Sequence, residues 1–278
     1  MDNEPDGMSA IEKYQVWIFF ALTIIIALIT SQLIFQMGLD IYHSASGSII
    51  YILYVLCPAI SAVLLVALMG GREGVLSLVM GLARWKVGLQ WYIVAIVLSI
   101  IVEGLTVAIF IVTGNHIPGD YTLSPLSLTV TFYIILSAIG LAIGLGYAFS
   151  VLLSEHGPML SAAVVGIFLV IYKGFVSIQN PNILIMSVGL FTLAFILLWL
   201  YYYAKSSLLI IAIFLILFVY MSNIITYDLA SMSGTSLPIY INKIIYILMT
   251  AAIMVLDMSF FREGRPLLEN GNAIRPNG

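Results

Sequence analysis

Charged side chains are scarce in this sequence. Asp, Glu, Lys and Arg make up 8% of its 278 residues, against about 25% in soluble domains. The 62% of hydrophobic residues fall in long runs, and the mean hydropathy is +1.14. These values exclude a water-soluble enzyme or binding domain, which needs a polar surface. The net charge of −3 and the lack of a basic tract also argue against nucleic-acid binding.

Cysteine and histidine are scarce as well. Cys57 is the single cysteine, so no disulfide can form within the chain. The three histidines, His43, His116 and His156, fall in separate loops on both sides of the predicted membrane domain. Such scattered imidazoles do not suit a metal site. We therefore predict neither a metal nor a cofactor.

Eight apolar segments reach the ~20 residues that a helix needs to cross the hydrocarbon core. Breaks rich in Gly, Pro, Asn and charged residues separate them, as is typical of turns. The predicted spans are residues 14–37, 49–69, 91–113, 126–153, 159–178, 183–204, 207–227 and 237–258. We therefore predict an all-α polytopic membrane domain at residues 14–258, between an acidic tail at 1–13 and a second tail at 259–278.

The longest loop between these spans, residues 72–90, is amphipathic. It mixes Val and Leu with charged side chains and ends in Trp85 and Trp91. This pattern predicts a short helix that lies in the headgroup layer. A plain connector with interfacial aromatic residues is the alternative.

Basic residues are distributed unevenly between the loops. One side collects Lys13, Arg72, Arg84, Lys86, Lys205, Arg262, Arg265 and Arg275, and the opposite loops contain no Lys or Arg. The positive-inside rule then predicts that both termini are cytoplasmic. We expect the protein to lie in the plasma membrane. Lys243 lies just inside the outer end of the last span, where it is expected to snorkel to the interface.

Several short motifs occur in an order and spacing that resemble one membrane protein family. They are CPAISA at residues 57–62, GGREG at 70–74, RWKVGLQWY at 84–92, GP at 157–158 and WLY at 199–201. Together they make residues 48–223 similar to the CPBP family of type II CAAX prenyl endopeptidases and bacteriocin-processing proteins. The resemblance implies the fold of an eight-helix intramembrane protease.

The resemblance also implies where catalytic groups would lie. Active members carry a Glu pair and an Arg on the fourth span, an aromatic residue and a His on the fifth, and His and Asn on the seventh. These groups activate a water against a peptide bond, with or without a metal. In this sequence the Glu pair matches two adjacent residues within Gly140 to Ala142, and the Arg matches Leu145 or Gly146. The aromatic residue and the His of the fifth span match Leu169 and Lys173. The His and Asn of the seventh span match Leu215 and Val219, or Val219 and Asn223. None holds a carboxylate or a histidine, so we predict no catalytic residue.

Two ionisable residues, Glu103 and Lys173, lie deep within predicted spans. Such groups are costly in the membrane and are therefore candidates for function. At ~1.5 Å per residue, Glu103 lies ~18 Å and Lys173 ~21 Å from the cytoplasmic ends of their helices, which allows an ion pair. Alternatively, Lys173 snorkels outward and Glu103 is protonated or faces a water pocket. Asn223 on the seventh span completes this candidate polar site.

Small residues form one face of the fourth span. Gly140, Gly144 and Ala148 recur at a four-residue spacing, which lets two helices approach closely. Helix packing is the structural interpretation of this face. A cleft left where catalytic side chains once stood is the functional one.

Our first functional interpretation is a catalytically inactive CPBP-like protein that works by binding. In addition to the lipid bilayer, its partner would be another membrane protein, a hydrophobic peptide or a lipid, in a scaffold or immunity role. The first alternative is an active intramembrane endopeptidase with atypical catalytic residues. The second is a transporter or channel subunit with Glu103 and Lys173 along its pathway.

Overall fold

The computed structural model describes residues 10–41, 44–119, 121–123, 125–177 and 181–263. Every regular element within these ranges is a helix, which confirms the predicted all-α class. Short helices at Ala10–Lys13 and Met258–Glu263 flank the long ones. We number the long helices α1 Gln15–Gln36, α2 Ala45–Met80, α3 Leu89–Val112, α4 Leu128–Glu155, α5 Pro158–Ser177, α6 Ile183–Tyr203, α7 Leu208–Ser233 and α8 Leu237–Leu256.

Length and composition make the chain a multi-pass membrane protein. Among the described residues, seven helices, all of the eight except α5, are long and apolar enough to cross a membrane. Helix α5 is also apolar, over the shorter stretch Pro158–Gly174. The count of eight spans therefore stays a prediction.

Helix α2 is longer than the predicted second span at residues 49–69. Its 36 residues comprise two helical stretches, residues 45–70 and 72–80, separated by the non-helical backbone of Gly71, where φ is 56° and ψ is −150°. Glycine adopts a positive φ without steric cost, so Gly71 bends the chain while helix continues on both sides. Residues 72–80 thus form a second, mostly exposed helical stretch within the loop where a short helix was predicted. Its position in the headgroup layer stays a prediction.

Helix α7 is not α-helical throughout. An α-helical part, Leu208–Met221, is followed by a π-helix at Ser222–Tyr227 and a last α-helical part at Asp228–Ser233. A π-helix is rare and often marks a functional position. Here it contains Asn223, one of the predicted site residues.

The small residues of α4 pack directly against α2. A Cβ on Gly140 would lie 2.6 Å from the carbonyl oxygen of Val55, and one on Gly144 would lie 2.5 Å from Cβ of Pro58. Ala148 is fully buried on the same helix. The geometry of this face is that of helix packing, because no space for a cleft remains between the two backbones.

Hydrogen bonds between turns show which loops share an end of the bundle. At one end, the hydroxyl of Ser207 donates to the carbonyl oxygen of Arg84 (2.7 Å). Lys205 precedes Ser207 in the same turn. At the other end, the hydroxyl of Tyr133 donates to the carbonyl oxygen of Ile41 (2.9 Å). Arg84 and Lys205 therefore lie together, away from the loops that lack basic residues.

Candidate functional site

Glu103 lies in the middle of α3 and is only 2% exposed. Its carboxylate accepts hydrogen bonds from the Ser222 hydroxyl (2.7 Å), the Thr226 hydroxyl (2.6 Å) and the Asn242 side-chain amide (3.0 Å). Ser222 and Thr226 belong to α7, and Asn242 belongs to α8. The carboxylate thus ties three helices together through neutral donors.

Asn242 connects this carboxylate to a cation. Its amide nitrogen also donates to the hydroxyl of Thr106 (3.3 Å), and its carbonyl oxygen accepts from the ammonium of Lys243 (2.9 Å). In the described part of the chain, no direct ion pair joins Glu103 to a basic side chain. We call the connected set the polar network: Glu103, Thr106, Ser222, Thr226, Asn242 and Lys243.

Lys243 is buried, and the prediction that it snorkels to the interface is wrong. It is 5% exposed, and its ammonium lies 5.4 Å from the ring centre of Phe218 and 5.6 Å from that of Tyr246. A Cβ on Gly189 of α6 would lie 2.7 Å from Cδ of this lysine. The glycine therefore leaves the room that the aliphatic part of the lysine occupies.

The π-helix forms the α7 side of the polar network. Ser222 and Thr226 both lie within it and bind one carboxylate oxygen each. A π-turn contains one residue more than an α-turn, which rotates the following side chains by ~100°. The irregular turn therefore decides which α7 side chains face α3.

The predicted ion pair between Glu103 and Lys173 is not formed. Helix α3 packs mainly against α7 and α8, whereas α5 packs against α1, α4 and α6. Equal depth in the membrane therefore does not make the two side chains neighbours. The ammonium of Lys173 instead lies 4.9 Å from the ring centre of Tyr172 and 5.5 Å from that of Tyr54.

Lys173 and Asn223 line a cavity of about 250 Å³ between α2, α4, α5, α6 and α7, which we call the central cavity. Seven of its 17 lining residues are leucine, so most of its wall is apolar. The amide nitrogen of Asn223 donates to the carbonyl oxygen of Val219 (2.7 Å), which holds the side chain along α7. Gly140, Gly144 and Ala148 do not line this cavity. Of the predicted site residues, only Lys173 and Asn223 thus meet in one place.

The central cavity collects positions that the family resemblance singled out on separate helices. Its lining includes Leu141, Leu145, Leu169, Lys173, Leu215, Val219 and Asn223. It includes no Asp, Glu, His or Cys. A lining of this kind offers neither a base that could activate water nor a set of metal ligands.

A second cavity of about 140 Å³ adjoins the first and shares Lys173, Leu190 and Phe218 with it. Lys243 and Tyr227 line its other side. The two lysines therefore line adjacent cavities from different helices, and no carboxylate lines either cavity.

Tyr121, in the loop between α3 and α4, lies over the end of the site. Its hydroxyl donates to the carbonyl oxygen of Ile224 in the π-helix (3.0 Å). Burial raises the pKa of Tyr121, and the charges of Asp228 and Glu103 act in the same direction. The phenol therefore stays a neutral donor at physiological pH.

The described residues contain no group of three His, Cys, Asp or Glu side chains that could hold a metal ion. His43 lies outside the described residues. No family model matches the sequence, and no curated protein matches it.

Sequence reasoning did not place Asn242 and Thr226 in the site. One signal for Asn242 was present: an adjacent Asn and Lys six residues into an otherwise apolar span. Two neighbouring polar residues at membrane depth need partners on other helices. Thr226 gave no such signal, because threonine hydroxyls in membrane helices usually bond to their own backbone.

Proposed function

We propose that this protein is a CPBP-like membrane protein without protease chemistry, which works by binding a hydrophobic partner in the central cavity. The observation that carries this proposal is the lining of that cavity. Positions matched to the catalytic groups of the family lie around it, and they hold leucine, valine, lysine and asparagine.

Among the described residues, Glu103 is the carboxylate that an endopeptidase with atypical catalytic residues would have to use, and its hydrogen bonds go to side chains outside the central cavity. Glu103 does not line the central cavity, and its oxygens are taken by Ser222, Thr226 and Asn242. A general base must reach the water that it activates. This arrangement favours the binding function over an endopeptidase with atypical catalytic residues.

A transporter with Glu103 and Lys173 along one pathway is also less well supported. The two residues lie on helices with different neighbours, and Glu103 belongs to a hydrogen-bonded network that joins α3, α7 and α8. Such a network stabilises one arrangement of these helices. An alternating pathway would have to break it at every cycle.

The size and chemistry of the central cavity suit a hydrophobic ligand. Ligand sites typically combine apolar walls with a few placed polar groups. A cavity of about 250 Å³ with such a lining has room for a hydrophobic group, so we infer that a hydrophobic molecule occupies it in the membrane.

We also infer the orientation and the membrane. Arg84 and Lys205 lie at one end of the bundle, and the loops at the other end lack Lys and Arg. From the positive-inside rule we infer that both tails, residues 1–13 and 259–278, are cytoplasmic. The plasma membrane is the location that we propose.

The first test is a peptidase assay. The purified full-length protein in detergent, with and without Zn²⁺, should not cleave quenched fluorescent prenyl-peptide substrates, because no group in the cavity can activate water. Turnover that disappears in Glu103→Gln or His156→Ala would support the endopeptidase alternative and contradict our proposal.

The second test is photolabelling with two alkyl diazirine probes, one with a carboxylate head and one with an alcohol head. We expect at least one probe to label peptides of the central cavity. Leu169→Trp, which fills the cavity, should remove this labelling. Leu184→Trp should leave it intact, since Leu184 is 82% exposed on the outside of α6. Labelling that neither probe directs to the cavity would overturn the binding function.

A further inference from the structure

The charges inside the bundle do not balance around Lys173. Glu103 and Lys243 belong to one network and offset each other across Asn242. Lys173 has no carboxylate partner among the residues that the structure describes. One positive charge is therefore left at the central cavity, in a setting where an unpaired charge is costly.

The surroundings of Lys173 attract its cation without neutralising it. Its ammonium lies 4.9 Å and 5.5 Å from the ring centres of Tyr172 and Tyr54, within the range of cation–π contacts. An ammonium has three hydrogens to donate. No hydrogen bond from Lys173 is present within the described ranges of the chain. An acceptor supplied by a ligand would fill this gap.

Two more donors line the same cavity. The hydroxyl of Ser137 has no hydrogen-bond partner in the described part of the chain, and Asn223 uses one amide hydrogen on Val219 and keeps a second. Half of the other 14 lining residues are leucine, and most of the rest are also apolar. The cavity thus combines a small polar region that favours an anion with an apolar region that favours an alkyl chain.

We propose that the central cavity binds an amphiphile with one alkyl chain and a single carboxylate head, of the fatty-acid class. The carboxylate lies at the ammonium of Lys173, and the chain lies among the leucines. A cavity of about 250 Å³ is below the ~300–1,000 Å³ of typical ligand pockets, which suits one chain rather than a two-chain phospholipid. The inference rests on the proposed binding function and names its ligand.

The experiment compares palmitate with hexadecanol, its neutral counterpart, on the delipidated full-length protein in a nonionic detergent at pH 7. Binding is measured at equilibrium with radiolabelled ligand. Palmitate should bind at least tenfold more tightly than hexadecanol, because a charge-assisted hydrogen bond typically gains at least that factor. Lys173→Gln should weaken palmitate binding at least tenfold and leave hexadecanol binding unchanged. Lys173→Arg should retain most of the affinity for palmitate.

Lys205→Gln is the matched control, because Lys205 is exposed in the turn before α7 and should not affect either ligand. Circular dichroism verifies that each variant keeps its helix content. Equal affinity for palmitate and hexadecanol, or an unchanged affinity for palmitate in Lys173→Gln, would overturn the carboxylate proposal while the binding function stands. Failure of both ligands to bind the wild-type protein would remove both proposals.

Two competition experiments distinguish a fatty acid from other molecules that carry a carboxylate. Excess acetate should not displace palmitate, since the chain supplies most of the binding energy. Displacement by acetate would identify a small-anion site and overturn the amphiphile. An apolar peptide with a free C-terminal carboxylate should compete weakly. A peptide that binds tenfold more tightly than palmitate would overturn the fatty-acid class.

Discussion

Replacing Glu103 by glutamine tests whether the polar network holds three helices together. Glutamine keeps the size of the side chain but removes the charge. In the glutamine variant the side-chain oxygen can still accept from Ser222 and Asn242, whereas the NH2 group cannot accept from Thr226 and can only donate to its hydroxyl. The charge-assisted bonds thereby become neutral ones, each weaker by about 1 kcal/mol. Lys243 also loses its countercharge. Because Lys243 is linked to Glu103 only through Asn242, the loss comes mainly from the weakened hydrogen bonds. We therefore expect Glu103→Gln to lower the free energy of unfolding by about 2–3 kcal/mol.

A double-mutant cycle with two lysines shows which of them serves Glu103. Lys243→Met removes the cation that Glu103→Gln leaves without a countercharge. The double variant should therefore lose less free energy of unfolding than the sum of the two single variants, with a coupling of about 1–3 kcal/mol. Combined with Lys173→Met, the effects should add within ~0.5 kcal/mol, because the two residues share no partner. The free energies are measured by reversible unfolding with SDS in mixed micelles, followed by tryptophan fluorescence.

The same cycle can refute the reasoning. Coupling between Glu103 and Lys173, with additivity for Lys243, would restore the ion pair first predicted from depth alone. If Glu103→Gln lowers the free energy of unfolding by less than about 1 kcal/mol, the polar network contributes little to stability.

The remaining predictions concern packing and topology. Gly140→Ala should destabilise the protein by ~1–3 kcal/mol, because its Cβ would lie 2.6 Å from a backbone oxygen of α2. Gly104→Ala has no atom within 4 Å of its Cβ and should be neutral or stabilising by up to ~1 kcal/mol; equal effects in the same unfolding assay would contradict this packing. Impermeant thiol reagents applied to intact cells should label single cysteines in a Cys57→Ser background, and protection of two of the three would contradict the topology. The cysteine positions are Ser46, Asn115 and Thr235.

Helix positions could be predicted because the thickness of the bilayer fixes the length of an apolar span. The exception, α2, shows the limit of that argument. The sequence around Gly71 has the composition of a turn, and the positive φ of this glycine does interrupt the helix, but a second helical stretch follows directly and goes on to Met80. Composition identifies a residue that can turn the chain. It does not specify how far the chain turns.

The candidate site could be predicted only in part, because depth is one coordinate of three. Counting residues along a helix gives the depth of Glu103, Lys173 and Lys243, but neither the rotation of a helix nor its neighbours. Lys243 could reach either the interface or the interior with the same side chain. Gly189, on a different helix, leaves the space that it occupies in the interior. The sequence around Lys243 alone cannot predict this position, because it depends on a glycine in a distant part of the chain.

The positions of the charges also explain why binding fits this cavity better than hydrolysis. A protease site of the kind that the resemblance implies would place acids and imidazoles around the cavity and would make it attractive to a metal ion or an activated water. In this chain the carboxylate lies outside the lining, on α3, and a lysine stands where the matched histidine would be. The same helix positions then present an ammonium, which repels a metal ion and attracts an anion. Because no described residue that lines the cavity carries a countercharge for Lys173, our proposal assigns the anion to the ligand.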